Sequence, residues 1–213
     1  MDGRMRKLNN TWNKVIYKIW SPFYDRFFNT GYFLEARKKV FQETIFDRNQ
    51  KILFVGIGTG ADLELISHSE LDITTIDFSP DMLRKAKDKY ERSSIQFLEM
   101  DAQEMKFENN QFDLVVASLI LSVVPDPGAC FREMARVLKQ GGEMILFDKF
   151  LPTEKEPSFL IKISRPVIKL LGTDIGLRFK DLFEYNNYGL FIKEERPVMF
   201  GGIYKKILLS KYL

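Results

Sequence analysis

The sequence predicts an α/β protein built on a mostly parallel sheet with helices on both faces. Two observations carry that expectation. From Lys51 onward, short apolar β-prone runs alternate with helical patterns, the signature of βαβ units. The first of those runs also empties directly into a turn with glycine at positions 56, 58 and 60. A length of 213 residues suits one such domain rather than two, and 45% hydrophobic with 29% charged residues is ordinary for a packed soluble core.

In chain order, residues 1–48 read as a helical cap. Trp12, Ile16, Ile19 and Phe23, with Val15 and Trp20, recur at helical spacing, while Lys7, Lys14 and Lys18 lie largely off that stripe. Such a segment closes over a pocket, packs on its own domain, or lies on an anionic membrane through residues 1–28. The core, 50–150, follows with strands expected at Lys51 to Gly56, Asp72 to Asp77, Ser94 to Glu99, Phe112 to Ser118 and Glu143 to Asp148. Helices fill the gaps. One follows the glycine turn; another opens at Ser79-Pro80-Asp81, with Ser79 as N-cap and Pro80 at the first helical position. Asp126-Pro127 repeats the device before Cys130 to Leu138, and Gly141-Gly142 is expected to close that helix. Beyond 150, Pro152, Pro157 and Pro166 interrupt the alternation, so the stretch to Tyr185 reads as loop and helices over one sheet edge. Tyr188 to Glu195 and Gly202 to Lys211 read as a final strand pair joined by Arg196-Pro197 to Gly201-Gly202, an antiparallel edge.

Several function classes drop out on composition. The apolar run Leu114 to Val124 is far shorter than the roughly 20 residues of a membrane-spanning helix, and the charged start at Asp2 to Lys7 lacks a secretory core. A cytoplasmic protein, with peripheral membrane contact as an option, is the expectation. Cys130 is the only cysteine, so no intrachain disulfide and no cysteine metal cluster forms, and no metal site is expected. The net charge is +3, with an acidic centre between basic flanks. That lacks the dense basic stripe of a nucleic-acid binder and suits a small-molecule acceptor.

The glycine turn carries the chemistry. In Ile52-Leu53-Phe54-Val55-Gly56-Ile57-Gly58-Thr59-Gly60-Ala61-Asp62, the glycines permit a tight turn and let a ligand approach the backbone. Gly56-x-Gly58-x-x-Ala61 also satisfies the dinucleotide fingerprint, and Asp77 suits the ribose of either kind of cofactor. The third strand, however, ends in Glu99-Met100-Asp101-Ala102, which sets a second acidic residue where an adenine amino group would lie. The fourth, Phe112 to Ser118, runs into an apolar floor from Leu119 to Pro125.

That succession resembles the class I S-adenosylmethionine-dependent methyltransferases, close to the branch containing quinone-biosynthesis and bacterial phospholipid methyltransferases. The resemblance covers residues 50 to 150 most fully. It implies a seven-stranded, doubly wound sheet of order 3-2-1-4-5-7-6 with strand seven antiparallel. It also implies that Gly56, Gly58 and Gly60 line the methionine part of the cofactor. Asp77 would bind the ribose, Phe78 pack beside the adenine, Asp101 and Ala102 recognise its edge, and Ser118 and Leu119 lie beside the sulfonium. Ser21-Pro22-Phe23-Tyr24-Asp25 resembles the Tyr-Asp element of that branch, with Tyr24 closing over the cofactor. Two positions depart from the pattern: Phe54 stands where an acidic residue is usual, and Ser122 where a histidine often occurs.

No general base is evident. His68, the single histidine, follows the first expected helix, away from the strand tips, and reads as structural; Asp148 is the one substrate-facing acid the sequence suggests, with loop capping as its alternative. Methyl transfer to a small amphipathic acceptor, a quinone precursor or phospholipid amine, is the leading function. The rivals are an NAD(P)-dependent oxidoreductase, for which no convincing catalytic Tyr-x-x-x-Lys or His is found, and a catalytically silent cofactor-binding protein.

Overall fold

The computed structural model describes residues 29–151, 176–185 and 189–213. The amphipathic stripe and Tyr24, within residues 1–28, lie outside the described residues, as do 152–175 and 186–188. Seven strands form one sheet: β1 (Lys51–Val55), β2 (Asp72–Asp77), β3 (Gln96–Glu99), β4 (Phe112–Ser118), β5 (Leu138–Lys149), β6 (Leu190–Met199) and β7 (Tyr204–Lys211). Their order is β3-β2-β1-β4-β5-β7-β6. β1 to β5 run parallel, and β7 is antiparallel to both neighbours. The topology is the one implied by the resemblance.

Four α-helices are described: α1 (Gly31–Phe41), α2 (Pro80–Lys89), α3 (Pro127–Val137) and α4 (Phe179–Tyr185). Strand alternation divides the core. Ile52, Phe54, Ile145 and Phe147 face α1 and α2 through Ala36, Val40 and Leu83. Leu53, Val55, Val115 and Leu146 face α3 and α4 through Phe131, Met134 and Phe179. Both expected caps form: Ser79 Oγ accepts from the Met82 N–H, and Asp126 Oδ1 accepts from the Ala129 N–H.

Three expectations need correction. No α-helix follows the glycine turn; the connection to β2 holds a single 3₁₀ turn, Leu63–Leu65. Ser67-His68-Ser69 is a poor helix former, and Asp62, which would start the helix, is drawn inward to a buried ion pair with Arg37 of α1. Gly141-Gly142 does not close α3. The chain is already extended at Leu138, which pairs with Phe112, and the next registered pair is Glu143 with Leu114. The intervening excursion passes through Gly141 at φ +73°. Finally, β6 continues through Arg196 and Pro197 to Met199. It is the edge strand, so the N–H that Pro197 lacks interrupts no central ladder.

Candidate functional site

The carboxyl ends of β1, β2, β3 and β4 meet around the glycine turn, the place where open α/β sheets take ligands. Gly56, Gly58 and Gly60 have φ of +71°, +57° and +83°, in the left-handed region that glycine enters without penalty. The turn is strapped to β2: the Gly56 and Ile57 N–H groups both donate to the Ile76 carbonyl, at 2.9 and 3.0 Å. The Gly58 N–H donates to Asp77 Oδ2 at 2.8 Å. There is no room to spare at two of these positions. A Cβ on Gly56 would come within 2.7 Å of Ile120 Cδ1, and one on Gly60 within 2.9 Å of Tyr90 Cε2.

Asp77 ends β2 half-buried, and Oδ1 accepts the Ser79 N–H at 2.8 Å. Burial pushes its pKa up, against the pull of these backbone donors. Phe78 follows it, half-buried. Past β3, Asp101 Oδ1 accepts the backbone N–H of Gln103 at 2.9 Å, and the Gln103 side-chain carbonyl accepts the Asp126 N–H at 2.8 Å. Ala102 is buried beside it. These contacts tie the loop after β3 to the start of α3, so Asp101 is held by a chain of short bonds.

At the tip of β4, Ser118 is buried and its Oγ has no hydrogen-bond partner. An unsatisfied buried hydroxyl is unfavourable by roughly 1–3 kcal/mol, which a polar ligand atom at this spot would relieve. Leu119 then adopts φ +58°, rare for a side chain of its kind, and its N–H donates to the Phe147 carbonyl at 2.7 Å. The residue next to it, Ile120, is the one that leans on Gly56.

Asp148, at the end of β5, is 1% exposed. Its Oδ2 accepts the Ser122 N–H at 3.2 Å and its Oδ1 the Lys149 N–H at 2.8 Å. Burial pushes its pKa up. Where a histidine often stands in the branch, Ser122 is therefore fastened to a buried carboxyl. His68 sits edge-on to the Tyr90 ring, 5.5 Å between centroids. Cys130 is fully buried, and burial raises its thiol pKa.

Sequence reading missed how the site is buttressed. Arg37 of α1 pairs with Asp62 just past the glycine turn, both buried, and Asn29 Nδ2 donates to Thr59 Oγ1 within it at 3.2 Å. Tyr90, past α2, donates its hydroxyl to the Gly60 carbonyl at 3.2 Å. No spacing rule links residues 25 to 30 positions apart in this way. No group of metal-ligating side chains is assembled among the described residues.

Residues 53–146 match the model of a methyltransferase domain. The matched residues, the core of the sheet from β1 into β5, are similar to a methyltransferase domain. Among curated relatives of the chain, a phosphatidylethanolamine N-methyltransferase of Cereibacter sphaeroides is 38% identical over 138 residues, 63% of this chain and 66% of that protein. A chloroplastic 2-methyl-6-phytyl-1,4-hydroquinone methyltransferase of Spinacia oleracea is 34% identical over 141 residues, 64% of this chain and 41% of that one. The chain thus spans just under two thirds of the first relative and less than half of the second. A solved SAM-dependent methyltransferase from Methanosarcina mazei shares the fold, with TM-score 0.62 over 79% of this chain and 95% of that one, at 22% identity.

The residues present fit the cofactor. The glycine turn leaves a cradle without side chains, Asp77 offers a carboxylate at the ribose position and Ser118 Oγ awaits a partner. Phe54, where an acid is usual, is 1% exposed in the core layer under α1.

Proposed function

We propose that the protein transfers the methyl group of S-adenosylmethionine to a small amphipathic acceptor, a phospholipid amine or a quinone precursor. The observation that carries this reading is the convergence, at one sheet edge, of the three left-handed glycines, Asp77 and the unpartnered Ser118 hydroxyl. The relatives named for a phospholipid and a hydroquinone support the acceptor class.

In this reading the glycine turn seats the methionine end, and its backbone carbonyls take the duty of the acid whose place Phe54 occupies. The Asp77 carboxylate accepts the two ribose hydroxyls, Phe78 flanks the adenine, and Asp101 and Ala102 read its edge. Ser118 and Leu119 border the sulfonium. The bound cofactor supplies an electrophilic methyl whose transfer disperses positive charge. The chain's part is to orient the reactants and exclude water, worth several kcal/mol without any proton transfer.

Asp148 faces the backbone of Ser122 and Lys149 rather than open space, and the described strand tips present no histidine. Attack by a neutral amine or a stabilised carbon nucleophile, neither of which needs a base, is the chemistry this arrangement serves. Tyr24 would close over the cofactor. Residues 1–48, 50–150 and 151–213 act as cap, cofactor core, and insert with strand pair of a single domain.

Isothermal calorimetry with S-adenosylmethionine, S-adenosylhomocysteine and NADH is the direct test. Micromolar binding of the sulfur cofactors alone is expected; preference for NADH would overturn the reading. Cofactor binding without methyl transfer to any lipid or quinol would identify a silent binder.

A further inference from the structure

Most large apolar side chains of the described residues are covered, but three exposed ones gather at a single place. Tyr32 is 78% exposed, Phe200 53% and Ile203 36%. Phe200 and Ile203 belong to the β6–β7 turn, which caps the end of β7 where Tyr204 pairs with Lys149, the last residue of β5. That turn therefore stands at the same carboxyl edge as the cofactor site. Two strand spacings, roughly 10 Å, separate β7 from β4.

The turn is rigid. Its Phe200 and Gly201 lie at φ +49° and +61°, the Ile203 N–H closes on the Phe200 carbonyl at 3.3 Å, and the Phe150 N–H binds the Ile203 carbonyl at 2.8 Å. Phe200 rests edge-on against Phe33 and Tyr204, at 6.4 and 5.8 Å between centroids, and Tyr32 lies 6.2 Å from it. A non-glycine residue is thus held in an unfavourable backbone region to present an aromatic ring outward.

We propose that this turn, together with Tyr32, seats the open edge of the sheet on the surface of an anionic lipid bilayer. The inference deepens the proposed function and rests on its reading of the acceptor as a membrane lipid. Two features select a bilayer over a second copy of the chain. Three side chains form a patch far smaller than the roughly 800 Å² per partner that a stable dimer buries. Residues 1–28, which the chain joins to α1 just ahead of Tyr32, carry six basic residues against two carboxylates, a charge that complements acidic headgroups. Phe and Tyr are side chains suited to the headgroup boundary, and no described helix is long and apolar enough to cross it. An acceptor lipid would then reach Ser118 by travelling sideways across the sheet edge, without leaving the membrane.

The test uses the full chain with sedimented vesicles of equimolar phosphatidylethanolamine, which carries a free amine, and phosphatidylglycerol, which carries the negative charge. Phe200→Asn keeps a residue that tolerates left-handed φ, and Tyr32→Ser alters a site on the surface of α1 that needs no core contact. Each should weaken vesicle partitioning by roughly tenfold and leave S-adenosylmethionine affinity unchanged. Unchanged partitioning in both variants, a wild type that ignores the vesicles, or a wild-type dimer that Phe200→Asn dissociates would each overturn the proposal. Expected partitioning with no methyl transferred to any vesicle lipid would uphold the surface and defeat only the acceptor assignment.

Discussion

Gly56→Ala is the sharpest probe of the cofactor turn. An alanine there must hold φ near +71°, which is unfavourable by about 1–2 kcal/mol relative to glycine. Its methyl would also meet Ile120 Cδ1 at 2.7 Å and Cγ1 at 3.0 Å. Overpacking of this sort typically adds about 1–3 kcal/mol, here towards the lower end because Ile120 is only half-buried and its tip can swing. A total of roughly 2–4 kcal/mol should appear as a lowered urea midpoint at unchanged slope. Because Ile120 follows Ser118 and Leu119 directly, its displacement should also weaken S-adenosylmethionine binding by tenfold or more in calorimetry. Ile120→Ala in the same background removes the steric part and leaves the backbone part, so the double-mutant cycle should show a favourable coupling of about 1 kcal/mol once the cost of Ile120→Ala alone is subtracted. A loss below about 0.5 kcal/mol for Gly56→Ala with full cofactor affinity would refute the reasoning.

Other expectations follow from the buttress and from the buried carboxylate. Arg37→Met leaves Asp62 charged and unpaired in the core and should destabilise by about 3–5 kcal/mol in denaturant titration, whereas Arg37→Met with Asp62→Leu should recover most of it. Asp77 titrates above its ordinary value, and its ionised form accepts both ribose hydroxyls more strongly than the protonated acid, which has less acceptor capacity. Cofactor affinity should therefore climb as pH rises through that raised pKa and level off above it, and Asp77→Asn should bind weakly with a flat profile. In the absence of cofactor the sign reverses. The folded chain holds the Asp77 proton more tightly than the unfolded one, so this residue's share of stability falls as pH rises from the ordinary carboxylate range through the raised value.

Much of the fold was legible because burial on both faces of a parallel sheet leaves continuous apolar runs. β2 and β4 appear at the bounds their sequences suggest, and the Ser-Pro-Asp and Asp-Pro signals mark helix starts through local hydrogen bonds. What was not legible depends on distant partners. The helix expected after Gly60 gives way to a 3₁₀ turn because Asp62 serves Arg37, 25 residues earlier, instead of capping its own segment. Strand β5 begins at Leu138 because Phe112 is there to pair with it, a fact of register that no window around Gly141 reveals. At the site, the sequence indicates which residues reach the strand tips, but not that Asp148 would be turned to the backbone of Ser122.

Helix α1 joins two things that a list of parts keeps separate. Tyr32 stands on its first turn at the exposed aromatic edge, and Arg37, on the next, grips the residue beyond the cofactor turn. Through that ion pair, a ligand or surface that steadies this helix is expected to steady the glycine turn, and thermodynamic reciprocity then requires the converse. A cofactor-loaded chain should hold its acceptor side more tightly than an empty one by the same factor that acceptor-side contact tightens the cofactor. Loading and docking are then two readings of one coupling free energy, set by a helix that touches the reacting atoms of neither.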